Sequence, residues 1–210
     1  HKGEPAPASA APPIHAPTLR VEQRKLEQSH IVLARRTVSA TSPDRFAARI
    51  FAEIFGGGMA SRLFQDVREA RGLAYTIDAS CDQHSDCGRI SVYAGSDAKD
   101  AAEIVKITNN IWGDLATAGP TEGELARAKA VAAAQFAMSA EAPAARAGSA
   151  AYELLTFDRL VSVEEVLGYI DAVTIADVRR VAAETLSNPG IASAVGPKAG
   201  LAAAEAFVSA

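Results

Sequence analysis

The spacing of apolar residues changes several times along the chain, and these changes predict a series of strands and helices. Residues 28–36 form a short apolar run rich in β-branched residues, which is typical of a strand. Residues 42–44 (SPD) are typical of a helix start, and apolar residues at helical spacing follow until the glycine run at 56–58. A second helix is predicted from Ser61 to Gly72, with Leu63, Phe64 and Val67 facing the core. Beyond it, the pattern predicts strands at 73–80 and 88–95 joined as a β-hairpin and a helix at 97–118. Helices are predicted to begin with capping boxes at Thr121 and Ser162, and a further helix begins at Thr174. A strand at 191–196 precedes a short alanine-rich tail.

These predicted elements are grouped by type along the chain and do not alternate strictly. Grouping favours an α+β fold, with a mixed, mainly antiparallel β-sheet covered by helices on one face, over a doubly wound parallel sheet. Residues 1–17 contain five of the ten prolines and lack apolar periodicity, so we expect an extended Pro/Ala linker there. The remaining residues, 18–210, are expected to form one domain. Because the first residue is His1, the chain is also expected to be a segment of a longer protein.

The charge balance excludes one large class of partners. The chain has 21 Lys and Arg against 25 Asp and Glu in 210 residues, a net charge of −4. Without a broad basic field, nucleic-acid binding is not expected. No window approaches the roughly 18 unbroken apolar residues of a membrane span, so no such span is expected either.

The histidines and cysteines allow one incomplete metal site. None of the four histidines has a second histidine at the spacing that holds zinc from a helix. Cys81, His84 and Cys87 lie in one predicted loop, but they supply only three ligands. Cys81 and Cys87 also flank the predicted turn, so a disulfide and two free thiols both remain open. The disulfide would favour an oxidising compartment such as a bacterial periplasm or envelope.

The segment 56–79 holds the strongest candidate for chemistry. Its glycine run does not follow a strand and lacks the spacing of a phosphate loop, so it predicts a helix stop and a tight turn. Arg68 falls in the last turn of a predicted helix, and Tyr75 falls early in the next strand. Gly72 can reverse the chain between them, so both side chains could converge on one spot. A guanidinium and a phenol would form a two-donor site for carbonyl oxygens and a developing oxyanion. A purely structural interpretation also remains, because arginine suits a helix C-terminus and tyrosine suits a strand.

The same segment resembles the C-terminal, non-zinc-binding half-domain of the M16 zinc metallopeptidases, the pitrilysin, insulinase and mitochondrial processing peptidase family. The resemblance rests on the glycine run and on residues 61–64 (SRLF), 68–69 (RE) and 71–75 (RGLAY), in order and spacing. Residues 28–30 (QSH) before the first strand and 121–129 (TEGELARAK) are also similar. The resemblance covers almost everything after the predicted linker.

The resemblance implies a shared active site. In this family two homologous halves enclose a peptide; one half binds zinc through a His-x-x-Glu-His motif, and the other supplies an arginine and a tyrosine. Arg68 and Tyr75 match that pair, which implies that Arg68 holds a substrate carbonyl and that Tyr75 stabilises the tetrahedral oxyanion. The zinc motif is missing from this chain. Zinc is therefore expected on a homologous half or partner subunit, and the chain is not expected to hydrolyse peptides alone. The alternative is a non-proteolytic assembly subunit with the same fold.

Overall fold

The computed structural model describes residues 16–209, apart from the side chain of residue 140. Most of the predicted linker at 1–17 therefore lies outside the described residues. The strands are β1 (Thr18–Gln23), β2 (Ser29–Thr37), β3 (Ala74–Gln83), β4 (Gly88–Ser96) and β5 (Ile191–Gly196). The helices are α1 (Arg45–Gly56), a π-helix (Phe64–Ala70), α2 (Ala101–Thr117), α3 (Glu122–Glu141), α4 (Pro143–Phe157), α5 (Val163–Ala172), α6 (Ile175–Leu186) and α7 (Lys198–Val208).

The five strands form one mixed sheet in the order β1-β5-β2-β4-β3. Only β1 and β5 pair in parallel, and every other neighbouring pair is antiparallel. The predicted hairpin corresponds to β3 and β4, and β2 lies in the centre of the sheet. The α+β prediction, with a mixed and mainly antiparallel sheet covered by helices, is confirmed.

Helices cover one face of the sheet and bury its side chains. Residues on this inner face alternate along most of β2, β3, β4 and β5, as expected for strands with one buried side. They include Ile31, Leu33, Ile77, Ile90, Val92, Ala192 and Ala194. Trp112 from α2, Phe51 and Phe55 from α1, and Phe207 from α7 fill the core and are fully buried. The second face carries exposed and half-buried residues; we call it the open face, and it includes His30, Val32, Ser91 and Tyr93.

Side-chain caps define the start of three helices. Thr121 begins α3 and Thr174 begins α6, each in a capping box with the acidic residue three positions later. At α5 only half of the predicted box forms. Ser162 accepts a hydrogen bond from the backbone of Glu165, while the Glu165 side chain binds Arg159 and Tyr169. The competing arginine explains why this box is incomplete.

The glycine run ends α1 as predicted, although close packing is the reason for the first glycine. A Cβ on Gly56 would stand 2.7 Å from both the backbone nitrogen and the Cβ of Ala79. Only glycine therefore lets α1 lie against β3 at this point. Gly57 has a right-handed backbone, with φ −74° and ψ −10°, so the run does not need the special freedom of a left-handed turn.

Two elements at the ends of the described chain were missed by the sequence analysis. β1 pairs with β5, and all six of its residues are exposed, which leaves little apolar signal. The segment expected to be an alanine-rich tail is the helix α7, which buries Leu201, Ala204 and Phe207 against β5, β1 and β2. Apolar residues at three-residue spacing could have identified it.

None of the described helices combines the length and the apolar character needed to cross a membrane.

Candidate functional site

The site lies where the π-helix leads into β3. Gly72 has a φ of +63°, which is the left-handed conformation that glycine adopts readily. Its N–H donates to the carbonyl of Arg68, and the N–H of Leu73 donates to the carbonyl of Val67. The chain therefore reverses tightly at the end of this helix. π-Helical turns are rare and are frequently found at functional sites.

Arg68 and Tyr75 are brought together at this turn. The guanidinium carbon of Arg68 lies 5.9 Å from the centre of the Tyr75 ring and 4.8 Å from the centre of the Phe64 ring. Tyr75 is 76% exposed, and the Arg68 side chain is 42% exposed. The carboxylate of Glu69 is 4.0 Å from Arg68, at the limit of an ion pair. The guanidinium is thus held between two aromatic rings and remains accessible to a ligand.

Phe64 is predicted to face the core, but in the structure its ring contacts the guanidinium of Arg68. Leu63 and Val67 are fully buried as predicted, but Phe64 is only half-buried. Its ring supports Arg68, four residues further along the helix. Arginine four residues after an aromatic residue on a helix is the signal that could have revealed this contact.

A β-bulge sets the direction of Tyr75. Ala74 pairs with Ser96 and Thr76 pairs with Gly95, so Tyr75 is the extra residue between two regular pairs. Ala74 and Ile77 are buried, whereas Tyr75 and Thr76 are both exposed. An extra residue in one strand interrupts the usual alternation of side chains. The bulge therefore keeps the tyrosine out of the core, next to the end of the π-helix.

An ion pair fixes the other end of this segment. Arg62, at the start of the helical turn, donates two hydrogen bonds to Glu124 at 2.7 and 2.9 Å. Glu124 also accepts from Thr121 in the capping box of α3. Both partners of the ion pair are mostly buried. The contact ties the residues just before the π-helix to the start of α3.

Glu124→Gln is expected to lower the free energy of unfolding by about 2 kcal/mol at neutral pH, because it weakens both the ion pair and the cap. The hydrogen bond from Arg62 is the main cause that lowers the pKa of Glu124 from 4.5 to about 2. The stabilisation from the carboxylate is therefore complete above pH 4.5 and is lost as the pH falls towards 2.

Urea unfolding at a series of pH values measures this effect. The difference between parent and variant should shrink as the pH falls below 4.5. Glu122→Gln, in the same first turn of α3 but outside the ion pair and the capping box, is the control. A constant difference between pH 7 and pH 3 would contradict the assigned ion pair.

Gly72→Ala is expected to destabilise the protein by about 1 kcal/mol through backbone strain alone. A Cβ at Gly72 would contact nothing within 4 Å, so a steric clash does not contribute. Gly113 in α2 has equally open surroundings and a helical backbone, so Gly113→Ala should instead stabilise the protein. Thermal unfolding of the two variants measures both changes in stability. A change of the same sign in both variants would contradict the left-handed turn.

The structure does not support the predicted contacts between Cys81 and Cys87. Cys81 pairs with Ile90 across the hairpin, because β3 continues to Gln83 and leaves Cys87 at the end of the turn. Both cysteines are free. The disulfide alternative is therefore wrong for this structure. The preference for an oxidising compartment depended on that disulfide and gains no support.

The three-residue metal site is also not formed. Within residues 16–209, no group of three or more His, Cys, Asp or Glu side chains is placed to hold a metal ion. Cys81 packs against the core, while His84 is exposed in the turn. Burial raises the pKa of the Cys81 thiol to about 12, so the thiol stays protonated at neutral pH.

Comparison with known proteins gives the same family as the sequence motifs. The family model of the peptidase M16 inactive domain matches residues 1–131. An uncharacterized zinc protease of Streptomyces coelicolor is 34% identical over 174 residues, which cover 83% of this chain and 38% of that protein. The chain therefore spans well under half the length of this relative.

Solved structures share the fold. The peptidase M16 inactive domain from Pseudomonas fluorescens superposes with a TM-score of 0.79 at 21% identity, over 94% of this chain and 48% of that one. A chain of complex III2 from Candida albicans superposes with a TM-score of 0.78 at 21% identity, over 85% of this chain and 45% of that one. With the family model matching well over half of its residues, the chain belongs to the peptidase M16 inactive domain family.

Proposed function

We propose that the chain is the substrate-binding, non-zinc half of an M16-type metalloendopeptidase. The observation that carries this proposal is the position of Arg68 and Tyr75, whose side chains lie side by side and exposed at the π-helix turn. A purely structural arginine would be expected to cap carbonyls or pair closely with a carboxylate. Arg68 instead rests on aromatic rings, and within residues 16–209 no hydrogen bond from its side chain is present.

Each residue has a distinct role in this proposal. Arg68 offers several N–H donors in a fixed plane and holds a carbonyl oxygen of the substrate main chain. The hydroxyl of Tyr75 donates to the carbonyl oxygen of the scissile peptide bond, which becomes negatively charged as the tetrahedral intermediate forms. A donor that is already in place stabilises this charge more strongly than it binds the ground state.

Zinc is assigned to another half or subunit. Relatives of this chain are named zinc proteases, but the described residues of this chain do not fit a zinc site. The proposal therefore derives no step at a metal in this chain. The part that this chain supplies is binding and charge stabilisation from one side of the peptide.

Mixing the chain with a zinc-bearing M16 half tests the proposal. A quenched-fluorescent peptide library should be hydrolysed by the mixture and by neither part alone. Size-exclusion chromatography of the mixture establishes whether the two parts associate. Association without hydrolysis would favour the alternative, a non-proteolytic assembly subunit. The structural likeness to a chain of complex III2 agrees with that alternative.

A further inference from the structure

A cluster of three polar side chains lies on the open face of the sheet. His30 Nδ1 and the Tyr93 hydroxyl are hydrogen-bonded at 2.9 Å. Both groups, together with Gln28 Oε1, lie above Gly95. A Cβ on Gly95 would stand 3.3 Å from the Tyr93 oxygen and 3.8 Å from each of the other two atoms. We call Gln28, His30 and Tyr93 the open-face cluster.

Glycine in the interior of a paired strand is unfavourable and marks a place where other groups come close. Gly95 lies in β4, between β2 and β3, where a side chain would normally contribute to packing. Its lack of a Cβ lets the polar groups of the cluster approach the sheet. The cluster is thus built into the central part of the sheet.

Part of the hydrogen-bonding capacity of the cluster is unused. Among residues 16–209, neither the side-chain amide of Gln28 nor Nε2 of His30 has a hydrogen-bond partner, although both residues are half-buried. Neither group is among the fully enclosed polar atoms without a partner, so both are accessible to a ligand from the open face. The amide offers a donor and an acceptor side by side, which matches the N–H and C=O groups of a peptide main chain.

The register of the sheet places this cluster beside the Arg68–Tyr75 site. His30 pairs with Gly95, and Gly95 pairs with Thr76, the residue after Tyr75. Neighbouring strands are about 4.8 Å apart, so about 10 Å separates the backbones of His30 and Thr76. An extended peptide advances about 3.3 Å per residue and spans this distance with about three residues.

We propose that the open-face cluster binds the main chain of an extended peptide substrate about three residues from the bond held at Arg68 and Tyr75. The inference rests on the proposed function and extends its site along the sheet. The cluster contains amide, imidazole and phenol groups, without a carboxylate or a guanidinium. Such groups suit a neutral peptide unit better than a charged side chain.

Kinetics of the assembled protein test this proposal. The probe is the best-cleaved eight-residue peptide from the library, together with two versions that each lack three residues at one end. Gln28→Ala and His30→Ala should each raise KM for the full peptide roughly three- to tenfold, the effect of one lost hydrogen bond, with kcat changed less than twofold. For one of the two shortened peptides the variants should match the parent.

Ser91→Ala is the matched control. Ser91 forms a polar cross-strand pair with Ser80 on the same face, with oxygens 3.0 Å apart, four residues along β4 from Gly95. It should leave KM unchanged. Gln28 precedes β2 and is not part of the core, so Gln28→Ala remains a usable test even if His30→Ala does not fold.

The outcomes separate this inference from the proposed function. If the cluster variants behave like Ser91→Ala, or raise KM equally for all three peptides, the inference is wrong. The proposed function would still stand if Tyr75→Phe lowered kcat. If Tyr75→Phe and the cluster variants all left hydrolysis unchanged, the proposed function and this inference would both be wrong.

Discussion

Tyr75→Phe is expected to lower kcat for peptide hydrolysis by the assembled protein about 100-fold, while KM changes little. The substitution removes only the hydroxyl that donates to the developing oxyanion, and one such donor is worth about 3 kcal/mol of transition-state stabilisation. Tyr75 is 76% exposed, so the fold should be unaffected. Steady-state kinetics with a quenched-fluorescent peptide measure the effect.

Two control variants isolate the roles of the pair. Tyr169→Phe removes the hydroxyl of another accessible tyrosine, in α5, and should leave kcat unchanged. Arg68→Ala should raise KM and lower kcat together, because Arg68 holds the peptide in both the ground state and the transition state. Arg71→Ala, three residues further on, removes an exposed ion pair with Asp66 and should have little effect. Equal effects of Arg68→Ala and Arg71→Ala would contradict the role of Arg68.

Arg35→Ala is expected to lower the free energy of unfolding by about 3 kcal/mol, the largest loss of stability that we predict. Arg35 is only 5% exposed on the inner face of the sheet. Its guanidinium donates to the carbonyl of Leu186 at 3.2 Å and to that of Asn188, at the end of α6. It also lies 4.8 Å from the centre of the Phe207 ring. Removing it leaves two carbonyl groups without a donor and creates a cavity.

The adjacent arginine provides the matched control for Arg35→Ala. Arg36 lies on the open face and is exposed, so Arg36→Ala should change stability by less than about 0.5 kcal/mol. Urea unfolding compares the two variants. Burial lowers the pKa of Arg35, and in the part of the chain that the structure describes no acidic side chain pairs with it. A stable Arg35→Ala protein would therefore mean that the cost of desolvating this charge outweighs its hydrogen bonds.

Elements with strong local signals could be predicted from the sequence. The caps of α3 and α6 and the strand β5 follow from capping residues and apolar spacing. α1 begins directly after residues 42–44, but Asp44 at its start forms no side-chain cap. The left-handed turn at Gly72 was also expected, because glycine follows the last predicted helical residue there. These features depend on residues close together in the chain.

Features that depend on tertiary contacts could not be predicted in the same way. β1 owes its place to pairing with β5, which is distant in the sequence, and its own residues are exposed. The π-helix and the bulge at Tyr75 depend on how the helix, the turn and β4 fit together. The hairpin was predicted, but its register was not. β3 ends three residues later than predicted, which removes the expected contact between Cys81 and Cys87.

Part of the candidate site was accessible from the sequence and part was not. The motif around Arg68 and Tyr75 located the pair, and Gly72 explained how the two residues could meet. The spacing of Phe64 and Arg68 carried a signal for their contact, whereas the anchor between Arg62 and Glu124 became visible only with side-chain positions. The open-face cluster joins residues from β4 with residues in and just before β2, so no local pattern would have predicted it.

Binding of a tetrahedral mimic would test most directly whether this chain supplies half of a catalytic centre. A phosphinic peptide and the matching uncleaved peptide would be titrated against the assembled protein with Tyr75 and with Tyr75→Phe. If the phenol stabilises the oxyanion, the variant should lose about 100-fold in affinity for the phosphinic peptide and less than threefold for the uncleaved one. Equal changes for both ligands, or no change for either, would contradict the account and leave the chain as a structural relative of the peptidases.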